Sequence, residues 1–520
     1  MTFLKHSRFW LSACSGILLF CSFPNINFYP IAWIALVPFL VALSKVDNWK
    51  SAFIVGYISG FLFFAGLLVA IALLYPYANI FVTLLGYILL VAYTAVYFGV
   101  FAVILRHLPW KSGILYATAA ATLWVSLEWV RGWLMTGFPW GYLGYTQWNN
   151  PICIQIASIT GVYGVSFLII FLNAGIASII VHRKQWRKEL ITVGIPILLT
   201  IICFGYGVIV ISKPEPTPKT QVKVALIPGN IPQIDKWNAK KFPEIFRKYV
   251  RLTLKTSQEN PDLIIWPETT VRGQILTGEW INYHNVFSEM VNSIGDTPML
   301  IGATDPDTLG DIYNRVVSVS SDGEILGKYA KMHLVPFGEY VPLSDFLPNF
   351  IQFLPFEPGK TVEVLPITKP GDSQNKKDSV IVGTSICFES AFPNHFRKFA
   401  NKGANVMGIL TNDAWFVGTA FPELHLAMAP FRAVENRRDV FRCANGGYTC
   451  TIDKFGRIKS TIVTPDNDNE YVIQDISVSD GNKTIYTQYG NWFPLLSTLV
   501  TLVIISVQIM HHRNKTQLQT

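Results

Sequence analysis

Three apolar runs each deliver one ionisable side chain. Glu268 closes Leu263-Ile264-Ile265-Trp266-Pro267-Glu268, Lys331 precedes Met332 to Glu339, and Cys387 sits in Gly383-Thr384-Ser385-Ile386-Cys387-Phe388-Glu389. In α/β sheets catalytic groups gather at strand C-terminal ends, where the connecting loops open a crevice. A free thiol has a pKa of about 8.5 and is mostly protonated at neutral pH, so it needs help to attack. Glu268 can take the proton as general base if burial brings its pKa toward the working pH. Lys331 offers a fixed positive charge that favours the thiolate and then the oxyanion of a tetrahedral intermediate, with the amide of Phe388 as a second donor. Together the groups describe acyl transfer through a thioester. Singly, each has a plainer reading: a Cys after a strand is usually packed core, and a Lys or Glu at a strand end is usually a solvated loop residue.

The elements that must position them follow from hydrophobic periodicity. Short β-branched runs at 222–227, 263–266, 299–302, 316–319, 380–383 and 405–410 predict strands, and the stretches 242–254, 279–294, 391–402 and 423–437 predict helices. Strands alternating with helices indicate a layered α/β domain with buried sheets. The proline-bearing segment 213–219 reads as an extended spacer at a domain boundary, and the polar stretch 372–378 reads as a surface loop.

The rest of the chain is apolar. Of 520 residues, 51% are hydrophobic, too many for ordinary soluble domains. Runs at 9–23, 31–44, 52–74, 79–105, 113–133, 159–181, 190–211 and 493–510 approach or exceed the roughly 20 residues that cross a bilayer, giving about eight spans. The first two are short and can also form a re-entrant pair, which leaves the later topology unchanged. The basic start before residue 9 resembles a secretory signal, but no cleavage site follows it convincingly, so it is read as a retained span. Basic residues occupy alternate loops, at Lys5 and Arg8, Lys45 and Lys50, Arg106 and Lys111, Arg183 to Lys188, and Arg513 and Lys515. The intervening loops carry no charge, so the basic ones should be cytoplasmic and the segment 212–492 should lie outside the cytoplasm. The net charge of +8 is therefore spent on topology, and no basic face indicates nucleic-acid binding.

Of the seven cysteines, Cys14, Cys21, Cys153 and Cys203 lie in or beside spans and read as small buried hydrophobes. Cys443 and Cys450 can form a bridge in an oxidising compartment, which their spacing alone does not establish. No group of His, Cys and carboxylates has convincing zinc spacing, so His333 and His425 read as hydrogen-bonding residues, and no cofactor is expected. Glu128 and Arg131, at helical spacing near the end of a span, read as an internal pair. The aromatics Phe138, Trp140, Tyr142, Tyr145 and Trp148 suit an exposed interfacial belt. Phe138 and Tyr145 are candidates for lining the path of an acyl chain.

The local sequences around the trio carry a family resemblance. Trp266-Pro267-Glu268, the run from Lys331 to Glu339, and Ile386-Cys387-Phe388-Glu389 resemble the Glu, Lys and Cys motifs of the nitrilase superfamily. His333-Leu334-Val335-Pro336-Phe337-Gly338-Glu339-Tyr340-Val341-Pro342, Thr411-Asn412-Asp413-Ala414-Trp415-Phe416, Gly229-Asn230-Ile231-Pro232-Gln233 and Gly137-Phe138-Pro139-Trp140 resemble the apolipoprotein N-acyltransferase family within it. The resemblance spans nearly the whole chain. It implies an α/β fold, a nitrilase-type α-β-β-α sandwich inserted before the last helix of an eight-helix transmembrane bundle. The division is 1–211 for the first seven helices, 212–491 for the catalytic domain, and 492–520 for the last helix and a cytoplasmic tail.

By the same resemblance Cys387 is the acylated nucleophile, Glu268 the general base and Lys331 the oxyanion-stabilising lysine. Glu339, Phe388, Glu389 and Asn412 support the site, while Trp237 and Trp415, with Phe138, Trp140 and Tyr145 of the membrane part, are candidates for substrate contact. The implied acyl donor is a membrane phospholipid and the acceptor a diacylated apolipoprotein, handled by a monomer in a bacterial inner membrane with its catalytic domain on the periplasmic side. Two departures stand out: Val417 is found where the family commonly has Gly, and Phe388 where Tyr is frequent. Two other readings remain open, a membrane-anchored amidase that passes the acyl group to water, and a transporter or receptor whose outer domain only binds peptide.

Overall fold

The structure is a computed structural model that describes the chain except residues 1, 25, 78, 108–112, 214–219, 308, 341–355, 368–379, 465–469 and 518–520. Most of the expected spacer, the polar loop 372–378, Lys111, and Val341 and Pro342 of the family motif lie outside the described residues. The chain divides into two compact units, Met1–Lys213 with Tyr489–Thr520, and Pro214–Gln488.

Among the described residues of the first unit six helices are long and apolar enough to cross a bilayer: Trp49–Leu67, Ile80–Arg106, Gly113–Arg131, Val162–Val181, Arg183–Ser212 and Trp492–Met510. The first two expected spans are shorter apolar helices, Ser7–Cys21 and Tyr29–Leu43. The second is broken at Leu36, ahead of Pro38, and its freed Leu36 N–H is taken up by Asn173 Oδ1 at 2.8 Å. That bond matters because an unpaired backbone group in lipid is costly. In the helix Trp49–Leu67, Gly56 and Gly60 meet Phe98 of Ile80–Arg106 so closely that a Cβ would overlap it, the small-residue packing typical of membrane helices.

Glu128 and Arg131 do not pair with each other. Glu128 Oε1 accepts from Leu143 N (2.7 Å) and Trp124 Nε1 (2.9 Å), and Arg131 Nη1 donates to Trp140 O (2.6 Å) while stacking on the Phe64 and Tyr142 rings. Both therefore clamp the turn that follows Gly137. The expected exposed belt is correspondingly internal: Trp140, Tyr142, Tyr145 and Trp148 are buried, with Tyr142 and Tyr145 stacked at 5.7 Å. Only Phe138 among the five is half-buried, because the clamped turn folds the other rings inward.

The described residues of the second unit form twelve strands: β1 Gln221–Leu226, β2 Leu263–Arg272, β3 Met299–Pro306, β4 Ile312–Val319, β5 Ile325–Ala330, β6 Leu365–Ile367, β7 Val380–Ile386, β8 Val406–Asn412, β9 Val440–Asn445, β10 Gly447–Ile452, β11 Ile458–Thr464 and β12 Val472–Ser477. They form two six-stranded sheets, β12-β1-β2-β3-β4-β5 and β11-β10-β9-β8-β7-β6. Each has a parallel trio at its centre, β1-β2-β3 and β7-β8-β9, flanked by antiparallel strands. Helices Phe242–Ser257 and Ile281–Ser293 pack their apolar faces on Trp266, Ile264 and Ile301 of the first sheet. Helix Pro393–Asn401 lies on the second, where Gly383 leaves the room that Phe399 fills. Cys443 Sγ of one sheet donates to Ile265 O of the other at 3.5 Å, so the two sheets face each other and the order of layers is α-β-β-α. The helix predicted over 423–437 is split into Phe421–Leu426 and Ala429–Asn436, with Pro430 starting the second piece.

All seven cysteines are free. Cys443 and Cys450 occupy adjacent strands, where Arg442 and not Cys443 is opposite Cys450, so no bridge forms between them.

Candidate active site

Glu268 owes its position to a break in β2. Pairing with β3 shifts register between Trp266 and Val271, and Thr269 adopts φ +50°, so the strand bulges at the carboxylate. On the neighbouring strand Gly302 admits this bulge, since a Cβ there would come within 2.1 Å of Pro267 O. Glu268 Oε1 faces Lys331 Nζ at 3.3 Å and accepts from Asn314 Nδ2 at 2.7 Å, and its Oε2 accepts from the Asn412 amide at 2.7 Å.

Lys331 follows β5 and is 1% exposed. Its ammonium also donates to Glu339 Oε1 at 2.8 Å, and Glu339 Oε2 accepts from Val335 N. Burial alone would strip the proton, but Glu339 and Glu268 outweigh it and hold the amine protonated above the ordinary lysine range. Asn314 donates to both carboxylates, so one amide and one ammonium bind two acids into a single cluster.

Cys387 comes directly after β7 with φ +49°, a left-handed backbone unusual for a residue bearing a Cβ. Burial pushes its thiol above the ordinary range and the Glu268 charge adds to that, while Lys331 works the other way. The resting group is therefore the thiol. Glu389 staples the Cys387 loop to the Lys331 loop: Oε2 accepts from Ile386 N at 2.8 Å, and Oε1 from Met332 N at 2.7 Å, His333 N at 3.1 Å and Tyr329 OH at 2.8 Å. The Phe388 ring packs edge-on against Phe392 at 5.1 Å and beside His333, positions that need the ring and not a hydroxyl.

Asn412 at the end of β8 contributes its backbone to Glu268, and its side chain links Gln233 and Asn445 at 2.8 Å each. Through Gln233 this ties down the short helix Gln233–Lys236, at whose end Trp237 stands 39% exposed. Lys236 in that helix donates to Glu268 O at 2.7 Å, and burial lowers its amine to about 8 against the pull of Glu268 and Cys387. Trp415 is half-buried after β8, and Val417 beyond it has φ −55° and ψ 137°, which any residue adopts. The left-handed position, φ +81°, belongs to Gly418, so valine at 417 leaves the loop backbone unstrained.

The structure thus gathers Glu268, Lys331, Glu339 and Asn412 directly and brings the charges of Glu268 and Lys331 to bear on Cys387. Sequence reading missed Asn314, placed just before the predicted start of its strand, and Lys236, whose neighbour Trp237 alone drew notice.

Residues 223–486 match the carbon-nitrogen hydrolase family and residues 15–175 the apolipoprotein N-acyltransferase N-terminal domain. An apolipoprotein N-acyltransferase of Geobacter metallireducens is 34% identical, over 94% of this chain and 93% of the relative. The chain belongs to the apolipoprotein N-acyltransferase family. Further members with that name include one from Rickettsia prowazekii, 32% identical over 76% of this chain and 77% of its own, and one from Treponema denticola, 30% identical over 95% of both. Membership places a nitrilase-type sandwich and a multi-helix membrane unit in one chain, as the sequence reading expected.

Proposed function

We infer that this chain is an N-acyltransferase that moves a fatty acyl group from a membrane phospholipid, through a thioester on Cys387, to the α-amino group of the diacylglyceryl-cysteine that begins an apolipoprotein. The observation that carries the reading is the buried Glu268–Lys331–Glu339 cluster acting on a raised thiol.

In the first half-reaction Cys387 Sγ attacks the ester carbonyl as its proton passes to Glu268, and the developing oxyanion is stabilised by the Lys331 ammonium and the Phe388 amide. The C–O bond then breaks, the leaving lysophospholipid oxygen takes the proton from Glu268, and the acyl group remains on sulfur. In the second half-reaction the amine attacks the thioester and gives a proton to Glu268. The C–S bond breaks and the thiolate regains that proton. Lys331 keeps its charge throughout, which its two carboxylate neighbours favour.

Both substrates keep their chains in lipid, and extracting them would cost about 0.8 kcal/mol per CH₂ exposed, so a membrane-spanning chain suits the reaction. Charge-free loops alternating with basic ones support a periplasmic catalytic unit in a bacterial inner membrane. Trp237 and Trp415 are proposed to contact substrate at the sandwich, and Phe138, half-buried, is proposed to meet acyl chain in the membrane unit. Trp140 and Tyr145, being buried, act there by shaping the turn.

Incubating the purified protein with phospholipid should add an acyl mass to the Cys387 peptide, and a diacylglyceryl-cysteine peptide should discharge it into a triacylated product. No adduct ends the transferase reading, and discharge to water alone makes the protein a hydrolase.

A further inference from the structure

The carbonyl of Cys387, as distinct from its thiol, is the focus of a second buried cluster that the acyl-transfer steps do not use. Ser390 Oγ donates to it at 2.8 Å and His425 Nε2 lies 3.1 Å from it. Ser390 Oγ and His425 Nε2 are also 2.8 Å apart, and His425 Nδ1 is 3.1 Å from Asp413 Oδ1. Asp413 is anchored in turn by Arg442 Nη2 at 2.6 Å and by Thr411 Oγ1 at 2.9 Å. Ser390, His425 and Asp413 therefore stand in the order of a hydrolytic triad. All three are buried, and the serine proton is committed to the Cys387 carbonyl, so the arrangement has no free nucleophile.

What it can do is hold backbone. A carbonyl oxygen only accepts, so the tautomer that pairs with it carries its proton on Nε2 and leaves Nδ1 to accept from Arg442 Nη2 at 3.1 Å. Two donors thus converge on the peptide unit that follows the one non-glycine residue of this loop with a left-handed φ. Strained conformations of this kind persist at functional sites only where the surroundings over-determine them. Arg442 and His425 keep Asp413 ionised against its burial, so the cluster is a fixed charge pair and a firm anchor for the imidazole.

Resting on the thioester reading above, we infer that His425, held by Asp413 and Arg442, is a positioning residue: through the Cys387 carbonyl it fixes the backbone that presents the thiol to Glu268 and Lys331. Without that donor the peptide relaxes and the sulfur loses its alignment with the ammonium.

The test uses the full chain in detergent and needs no acyl donor. Alkylation of Cys387 by iodoacetamide is followed by mass spectrometry of its peptide across a pH series, beside the thermal unfolding midpoint. His425→Leu should slow alkylation roughly tenfold and move its pH midpoint upward by about one unit, as expected when a thiolate loses a cationic neighbour. His425→Gln, whose amide N–H can reach the same carbonyl, should recover most of the rate, which a loss of packing alone would not allow. A His425→Leu protein that alkylates within twofold of the parent at the same midpoint overturns the proposal. Should His425→Leu not fold, Ser390→Ala decides, with about a threefold slowing expected for one lost hydrogen bond and an unchanged rate overturning it. If the parent reacts with iodoacetamide yet never acquires an acyl group from phospholipid, the proposed function fails while the alkylation comparison still stands.

Discussion

The two sheets of the Pro214–Gln488 unit share a plan of three parallel strands with antiparallel flanks, but they contribute unlike halves of the site. The first sheet supplies charge: Glu268 from β2, Asn314 from β4 and Lys331 after β5 make a cluster in which each ionised group is answered by another. The second supplies geometry, a thiol on left-handed backbone after β7 and an amide aimed at Glu268 at the end of β8. Buried charge is tolerable only when paired, so the ionic half needs several partners. The half that carries the thiol starts neutral and needs no such partners.

The sharpest way to break this division is to remove the sulfur. Cys387→Ala should abolish acyl-adduct formation entirely, and any adduct found elsewhere on the protein would refute the assignment. Next in size, Glu268→Gln should lower the rate of adduct formation by roughly 10²–10⁴, the usual worth of a general base, as measured by single-turnover quench and mass spectrometry. It leaves Lys331 with one carboxylate, so stability should fall as well. Glu389→Gln tests the staple between the halves. One amide oxygen and one NH₂ cannot accept from all the donors that the carboxylate holds, and a buried unsatisfied group costs about 1–3 kcal/mol, which a denaturation curve of the full chain should show.

The smallest effect concerns Lys236, whose amine is lowered to about 8 by burial. Between about pH 8 and the ordinary lysine value the unfolded chain binds a proton that the folded one does not, so stability rises with pH across that window. Lys236→Met should remove this rise, and parallel pH–stability curves for parent and variant would detect it. A curve for the variant with the same slope as the parent's would show that the amine is solvated.

What could be seen in the sequence divides along the same line. Glu268, Lys331 and Cys387 announce themselves because their residue types are rare at the ends of apolar runs. The first sheet's β1 to β4 were predicted from β-branched runs, and β7 and β8 likewise. The strands β5, β6, β9, β10, β11 and β12 are not among those predicted, and β9 and β10 carry Arg442, Asn445, Thr449 and Thr451 on buried faces, where alternation between apolar and polar residues disappears. Contacts between distant segments, such as Asn314 with Glu339, or Glu389 with Met332, have no local signature at all. The membrane unit shows the reverse failure: Glu128 and Arg131 have the right spacing to meet, yet each finds a better backbone partner in the following turn.

The loop after Trp415 carries a consequence of its own. Glycine in an unfolded chain samples far more backbone states than valine, so a valine whose native dihedrals are ordinary loses less freedom on folding. With Gly418 supplying the sharp bend and Val417 narrowing the choices beside it, this loop is largely pre-shaped in the unfolded chain, and the isopropyl group of Val417 stands exposed on it.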